Sequence, residues 1–189
     1  MYPTLKKYLH DLKQYGLQNN IPNVTEAVGQ LLNMLIKMKK PKTILEIGCA
    51  NGYSTIWMAE AAKEVEAKVI TVDHSAPTFA EAQKNLQEVG LSEVVEFHFG
   101  DAREVIPQFQ SDLYFDFVFV DGQKANYLAF WNLLKDRLHP GATLVFDDML
   151  AFPEKTRPFT QAIQNVKGFD QLLIPIDQGD GILLLLKTD

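Results

Sequence analysis

The chain has 189 residues, of which 47% are hydrophobic and 22% charged, and its net charge is −6. That balance suits one globular domain spanning 1–189 and excludes both a disordered chain and a strongly basic nucleic-acid binder. A single cysteine, Cys49, excludes an internal disulfide, and the longest apolar run, 182–187, is far too short to cross a bilayer. With no signal-type apolar stretch at the start, the expectation is a cytoplasmic protein with no membrane partner.

In chain order, residues 1–42 read as an N-terminal helical segment, broken near Gly16 and again at Ile21-Pro22. Its second part carries Val28, Leu31, Leu32, Leu35 and Ile36 at helical spacing. The lysines 37, 39, 40 and 42 that follow suit a solvated helix end. The remainder, 43–189, reads as an α/β core. Ile44, Leu45 and Ile47 form a buried strand that breaks at Gly48 and restarts as a helix near Tyr53. Strands are then predicted at 68–72, 94–99, 115–120 and 142–146, separated by helices over 76–89, 102–109 and 124–138. A helix over 154–166 leads to two closing strands near 169–176 and 181–187, joined by Asp177-Gln178-Gly179-Asp180 as an antiparallel hairpin. Continuous apolar strands alternating with helices predict a doubly wound, mostly parallel seven-stranded sheet.

The turn Gly48-Cys49-Ala50-Asn51-Gly52 is built of small residues that let a ligand approach the backbone at a helix start. It lacks the G-x-G-x-x-G of a dinucleotide site, which disfavours an NAD-dependent oxidoreductase. Glu46, two residues before the first glycine, would repel a pyrophosphate and suits a ligand carrying positive charge, such as a sulfonium or an α-amino group. Five successive strands end at or beside acids: Glu46, Asp73, Asp101, Asp121 and the pair Asp147-Asp148. In an open α/β sheet those ends share one rim, where ligands bind. Helix capping explains Asp73 and Asp101 singly but not the row, because crowded carboxylates repel one another. A bound ligand or cation is the simpler cause. Asp73 suits the hydroxyls of a ribose.

The pattern E-x-G-x-x-x-G-x-S, from Glu46 to Ser54, resembles the first motif of class I S-adenosylmethionine-dependent methyltransferases. FDFVFVDGQKANY and GATLVFDDML are similar to segments of the cation-dependent O-methyltransferases, the family of catechol and caffeoyl-CoA O-methyltransferases. The resemblance runs from about Ile21 to the C-terminus, and Ile21–Val24 with Gly29–Leu32 is similar to the family's entry segment. It implies a Rossmann-like fold with S-adenosylmethionine and Mg²⁺ or another divalent cation as cofactors. The implied cofactor contacts are Glu46, Gly48, Cys49, Ala50, Gly52, Tyr53, Ser54, Asp73, His74, Asp101, Ala102 and Asp121, with Ser54 on the methionine carboxylate and Asp101-Ala102 near the adenine. The implied metal ligands are Asp121, Asp147 and Asp148. The implied catalytic residues are Lys124, as general base, and Asp121, while Tyr127 matches the family's tyrosine. The implied acceptor is a hydroxylated small molecule, a catechol or another chelating phenol, and relatives imply a homodimer. Two departures stand out. Gln123 replaces the second acid of D-x-D-K, and Asp148 replaces the asparagine of D-N, so the local charge is unchanged. The segment 149–158 is also shorter than the acceptor wall of many relatives. A hydroxylated uridine of tRNA is the alternative acceptor, met by the 37–42 lysines, Arg103, Lys155 and Arg157; a non-catalytic S-adenosylmethionine binder is the further alternative.

Overall fold

The computed structural model describes residues 3–177 and 179–189; Gln178 of the expected hairpin turn, and Met1 and Tyr2 of the N-terminal segment, lie outside the described residues. Two helices, α1 (Pro3–Gln18) and α2 (Glu26–Lys39), precede the sheet. The expected break at Gly16 does not occur: Gly16 is buried inside α1. Residues 21–23 pass so close that a Cβ there would lie 2.3 Å from Asn23 Nδ2. Smallness, not a turn, explains this glycine. The Thr25 hydroxyl caps α2 by accepting from the Val28 N–H at 3.3 Å, and α2 closes at Lys40 in the left-handed conformation.

The sheet elements follow as β1 (Thr43–Ile47), α3 (Tyr53–Val65), β2 (Lys68–Asp73), α4 (Ala76–Glu88), β3 (Val95–Phe99), α5 (Ala102–Val105) and β4 (Phe115–Val120). After them come α6 (Tyr127–Leu134), β5 (Leu138–Phe146), α7 (Pro153–Ile163), β6 (Phe169–Asp177) and β7 (Asp180–Lys187). The strand order is β3-β2-β1-β4-β5-β7-β6. β1 to β5 are parallel neighbours, and β7 runs antiparallel between β5 and β6. The expected seven-stranded, mostly parallel sheet is therefore present.

Two predicted helices are shorter than their apolar spacing suggested. The one expected over 124–138 ends at Leu134, and Leu138 starts β5 by pairing with Phe115. His139, Pro140 and Gly141 thus lie inside the strand's first half, which is partly exposed and tolerates a proline that cannot donate to the ladder. The one expected over 102–109 becomes α5 and a 3₁₀ turn at Ile106–Gln108, around Pro107.

Alternation along the strands divides the core in two. Ile44, Phe117, Phe119 and Val145 face α1, α2 and α3, whereas Leu45, Ile47, Val118, Val120 and Phe146 face α6 and α7. Burial on both faces leaves one place for charge, the rim at the carboxyl ends of β1, β2, β4 and β5. Among the described residues no helix is long and apolar enough to cross a membrane.

Candidate active site

The rim opens into a cavity of about 390 Å³. One end is the glycine turn between β1 and α3. Gly48 has φ +94°, and a Cβ there would lie 2.6 Å from the Asp121 carbonyl oxygen, so only glycine fits. The turn is held from beneath by Asp73. Its Oδ2 accepts the N–H groups of Cys49 and Ala50, each at 2.9 Å, and its Oδ1 accepts Ser75 N–H at 2.8 Å. A carboxylate offers about four lone-pair directions, so three donors leave room for a ligand hydroxyl.

Glu46 sits behind this wall. It is fully buried and is not among the residues that line the cavity. Ser54 and Thr55 hydroxyls donate to it at 2.6 Å, and that of Thr71 at 2.7 Å. Burial pushes its carboxyl up to about 7, against the pull of those three hydroxyls. Glu46 therefore does not face the cavity where the sequence placed its contact with a cationic ligand, whereas Ser54, which donates to it, does. With its proton directed at Glu46, Ser54 presents oxygen lone pairs, which suit an ammonium donor. Holding a carboxylate instead requires Glu46 to carry the proton.

The other predicted cofactor residues divide. Cys49, Ala50, Asp73, His74, Asp101, Ala102 and Asp121 line the cavity together with Gly48. Gly52 and Tyr53 do not: Gly52 starts α3 at φ +86°, and the Tyr53 ring is buried edge-on against Trp57 with Lys13 Nζ 5.6 Å from its centre. Asp101 is tied to Arg103, which holds its carboxyl down at about 2. Pro22, Asn23 and Val24, of the entry segment, close the far wall. Lys13 donates to the Asn23 and Val24 carbonyls at 2.6 and 2.8 Å and so fixes that wall to α1.

The opposite end is acidic. Asp121 follows β4, with its N–H on the Ile47 carbonyl at 2.9 Å, and Asp147 and Asp148 follow β5. Lys124 Nζ lies 2.6 Å from Asp121 Oδ1 and 2.6 Å from Asp148 Oδ2. Two of the predicted metal ligands, Asp121 and Asp148, thus meet at Lys124. Burial pulls the Lys124 amine down, but the two carboxylates outweigh it and hold the lysine above its ordinary value, charged. Asp147 is 6% exposed, and burial pushes it up to about 8. Asp148 takes φ +57°, a left-handed conformation that asparagine and aspartate adopt more readily than other residues. The exchange of asparagine for aspartate therefore leaves the backbone undisturbed. Tyr127 is fully buried, its hydroxyl donating to the Asp147 carbonyl at 2.9 Å and the Val120 carbonyl at 3.2 Å. It ties the ends of β4 and β5 together and does not line the cavity.

One acid escaped the sequence analysis. Asp180, at the start of β7, joins Asp147 and Asp148 in a group whose carboxylate oxygens lie within 4.8 Å of one another. Burial and the facing Asp148 carboxyl push Asp180 up. Pairing of Phe146 with Leu183 across β5 and β7 brings it there, a register invisible along the chain. Three close carboxylate oxygens are a donor set that fits a hard divalent cation.

The sequence profile of the O-methyltransferase family matches residues 2–187. This chain belongs to that family. It is 30% identical over 158 residues to a catechol O-methyltransferase of Niastella koreensis, covering 80% of this chain and 70% of that enzyme. It is 30% identical over 156 residues to caffeoyl-CoA O-methyltransferase 2 of Petunia hybrida, covering 79% of this chain but 64% of that longer enzyme. Among solved structures, the O-methyltransferase TomG of Streptomyces achromogenes, determined with SAM, superimposes with a TM-score of 0.85 at 25% identity, over 96% of this chain and 90% of its own. The likeness to S-adenosylmethionine-dependent O-methyltransferases carried by the motifs is borne out.

Proposed function

We propose that this O-methyltransferase moves the methyl group of S-adenosylmethionine onto a hydroxyl of a catechol-like or other chelating phenolic small molecule, with a divalent cation assisting. One observation carries the reading: a single cavity has the backbone turn over Asp73 at one end and the Asp121–Lys124–Asp148 cluster at the other. Asp73 keeps acceptor capacity for a ribose hydroxyl, and Ser54 faces the amino-acid part of the cofactor. Asp147 and Asp148 would hold the cation, with Asp121 as the third ligand implied by the resemblance. A bound cation lowers the pKa of a coordinated hydroxyl and orients it. Lys124 is the group placed to take that proton, once the carboxylates that keep it charged are otherwise engaged. The homodimer implied by relatives belongs to the same reading, and the exposed Leu172, Leu173 and Leu186 of β6 and β7 are surface for it.

Three of the basic residues named for the tRNA alternative are already paired with acids of the protein. Lys37 is paired with Glu60 and Glu64, Arg103 with Asp101 and Arg157 with Glu154. Isothermal titration with S-adenosylmethionine, then with catechol in Mg²⁺ or in EDTA, tests the reading. The expected result is cofactor binding in both and catechol binding only with Mg²⁺. No cofactor binding would overturn it, and cofactor binding without a metal-dependent catechol signal would remove the cation and the catechol from it.

A further inference from the structure

Two walls of the cavity are held by different means. The glycine turn is tied into the sheet and its helices: Asp73 of β2 accepts the Cys49 and Ala50 N–H groups, and Asn85 of α4 donates to the Asn51 carbonyl at 2.8 Å. The wall made by Pro22, Asn23 and Val24 belongs to the link between α1 and α2. Residues 21–25 of that link are neither helix nor strand. Pro22 has no N–H to donate, and Asn23 Nδ2 is buried without a hydrogen-bond partner among the described residues. The anchor for this wall comes from α1. Lys13 is half-buried, and an ammonium carries three donors and no acceptor. Its Nζ donates to the Asn23 carbonyl at 2.6 Å and to the Val24 carbonyl at 2.8 Å. The same Nζ stands 5.6 Å from the centre of the Tyr53 ring, within reach of a cation–π attraction. Tyr53 directly follows Gly52, the last residue of the glycine turn. One cation therefore touches both walls. Without it, two carbonyls of the link lose a charged donor, and the link gains freedom that a ligand must remove as it binds.

We propose that Lys13 is a positioning residue for S-adenosylmethionine: its ammonium sets the Asn23–Val24 wall against the glycine turn, so the cofactor meets a cavity already shaped. The inference rests on the reading of this cavity as the S-adenosylmethionine site. It extends that site to α1, a helix whose own residues do not line the cavity.

The test combines isothermal titration with S-adenosylmethionine and amide hydrogen exchange read by mass spectrometry, on the full chain, for wild type, Lys13→Met and Tyr8→Phe. Methionine keeps most of the lysine stem and removes the donors and the charge. Tyr8→Phe removes the hydroxyl that lies 2.9 Å from Asn85 Oδ1 and 2.8 Å from Glu88 Oε2 of α4, and leaves Lys13 in place. It reports what loosening α1 does by itself. Expected is a dissociation constant raised about fivefold or more in Lys13→Met and less than about twofold in Tyr8→Phe. Exchange over residues 19–25 should be faster in free Lys13→Met than in free wild type, and saturating cofactor should slow it again. Exchange over β1, β4 and β5 should not change. In wild type the cofactor should slow exchange over 19–25, a result that stands even if Lys13→Met does not fold. Unchanged affinity in Lys13→Met, equal losses in the two variants, or faster exchange throughout the sheet overturns the positioning role and leaves the methyltransferase reading standing. So does a wild type whose exchange over 19–25 ignores bound cofactor. Wild type that binds no S-adenosylmethionine overturns that reading and this inference with it.

Discussion

The two ends of the cavity are built on opposite terms. At the glycine turn the charged groups are already satisfied: Asp73 takes three N–H groups and Glu46 three hydroxyls, all from the protein itself. At the acidic end, Lys124 pairs with Asp121 and Asp148, while Asp147 and Asp180 stand beside them, both raised by burial and by neighbouring carboxylates. The first end has its charge held in bonds made within the protein. The second holds an excess of negative charge that a cation would relieve.

Substitutions that strike each end separately should give different signatures. The largest effect belongs to the acidic end. Asp121→Ala removes the partner of Lys124 and should lower turnover by roughly 10²–10⁴-fold, the range for loss of acid–base function, while S-adenosylmethionine still binds. A methyl-transfer assay beside a cofactor titration checks it, and full activity in the variant would take Asp121 out of the chemistry. Asp73→Ala should do the reverse. Loss of charge-assisted bonds weakens cofactor binding by roughly 1.5–3 kcal/mol, about 10–150-fold in dissociation constant. Unchanged affinity would reduce Asp73 to a brace for the turn.

Smaller effects concern the frame between the ends. Tyr127→Phe leaves the Asp147 and Val120 carbonyls without their hydroxyl donor and should destabilise the fold by about 1–2 kcal/mol, read from chemical denaturation. Glu46 provides the mildest and most specific signal. Its folded pKa of about 7 lies above the ordinary 4.5, so the native state binds that proton more tightly than the unfolded chain. Its contribution is complete below about pH 4.5 and is lost as pH rises through about 7. Glu46→Gln should flatten the fall in stability across that window, measured by denaturation at several pH values; an unchanged slope would assign the fall to other groups.

The sheet was legible in the sequence because its strands are apolar runs that break at acids. Ile44–Ile47 and Phe115–Val120 read as strands from composition alone, and both are. Helix ends were less legible. Leu134 and Leu138 continue one apolar spacing along the chain, yet Leu138 belongs to β5, since pairing with Phe115 outweighs local periodicity. The site divided similarly. The glycine turn, Asp73 and the Asp121–Lys124 segment are local motifs, and they meet in the cavity. Whether Glu46 faces the cavity or its wall depends on Ser54, Thr55 and Thr71, which only the packing of α3 and β2 on β1 brings around it. Asp180 had no local signal at all. It is the antiparallel pairing of β7 with β5 that puts Asp180 beside Asp148.

The near-contact between Gly48 and the Asp121 carbonyl reaches beyond fold stability. Where a Cβ would come within 2.6 Å, the backbones that carry the two halves of the site lean directly on each other. The span from donor to acceptor is thereby ruled by main chain rather than by adjustable side chains. The segment 149–152, which carries the exposed Leu150 and Phe152, lies outside that ruler. Changes to the exposed Leu150 and Phe152 side chains therefore leave the separation of the two halves as it was.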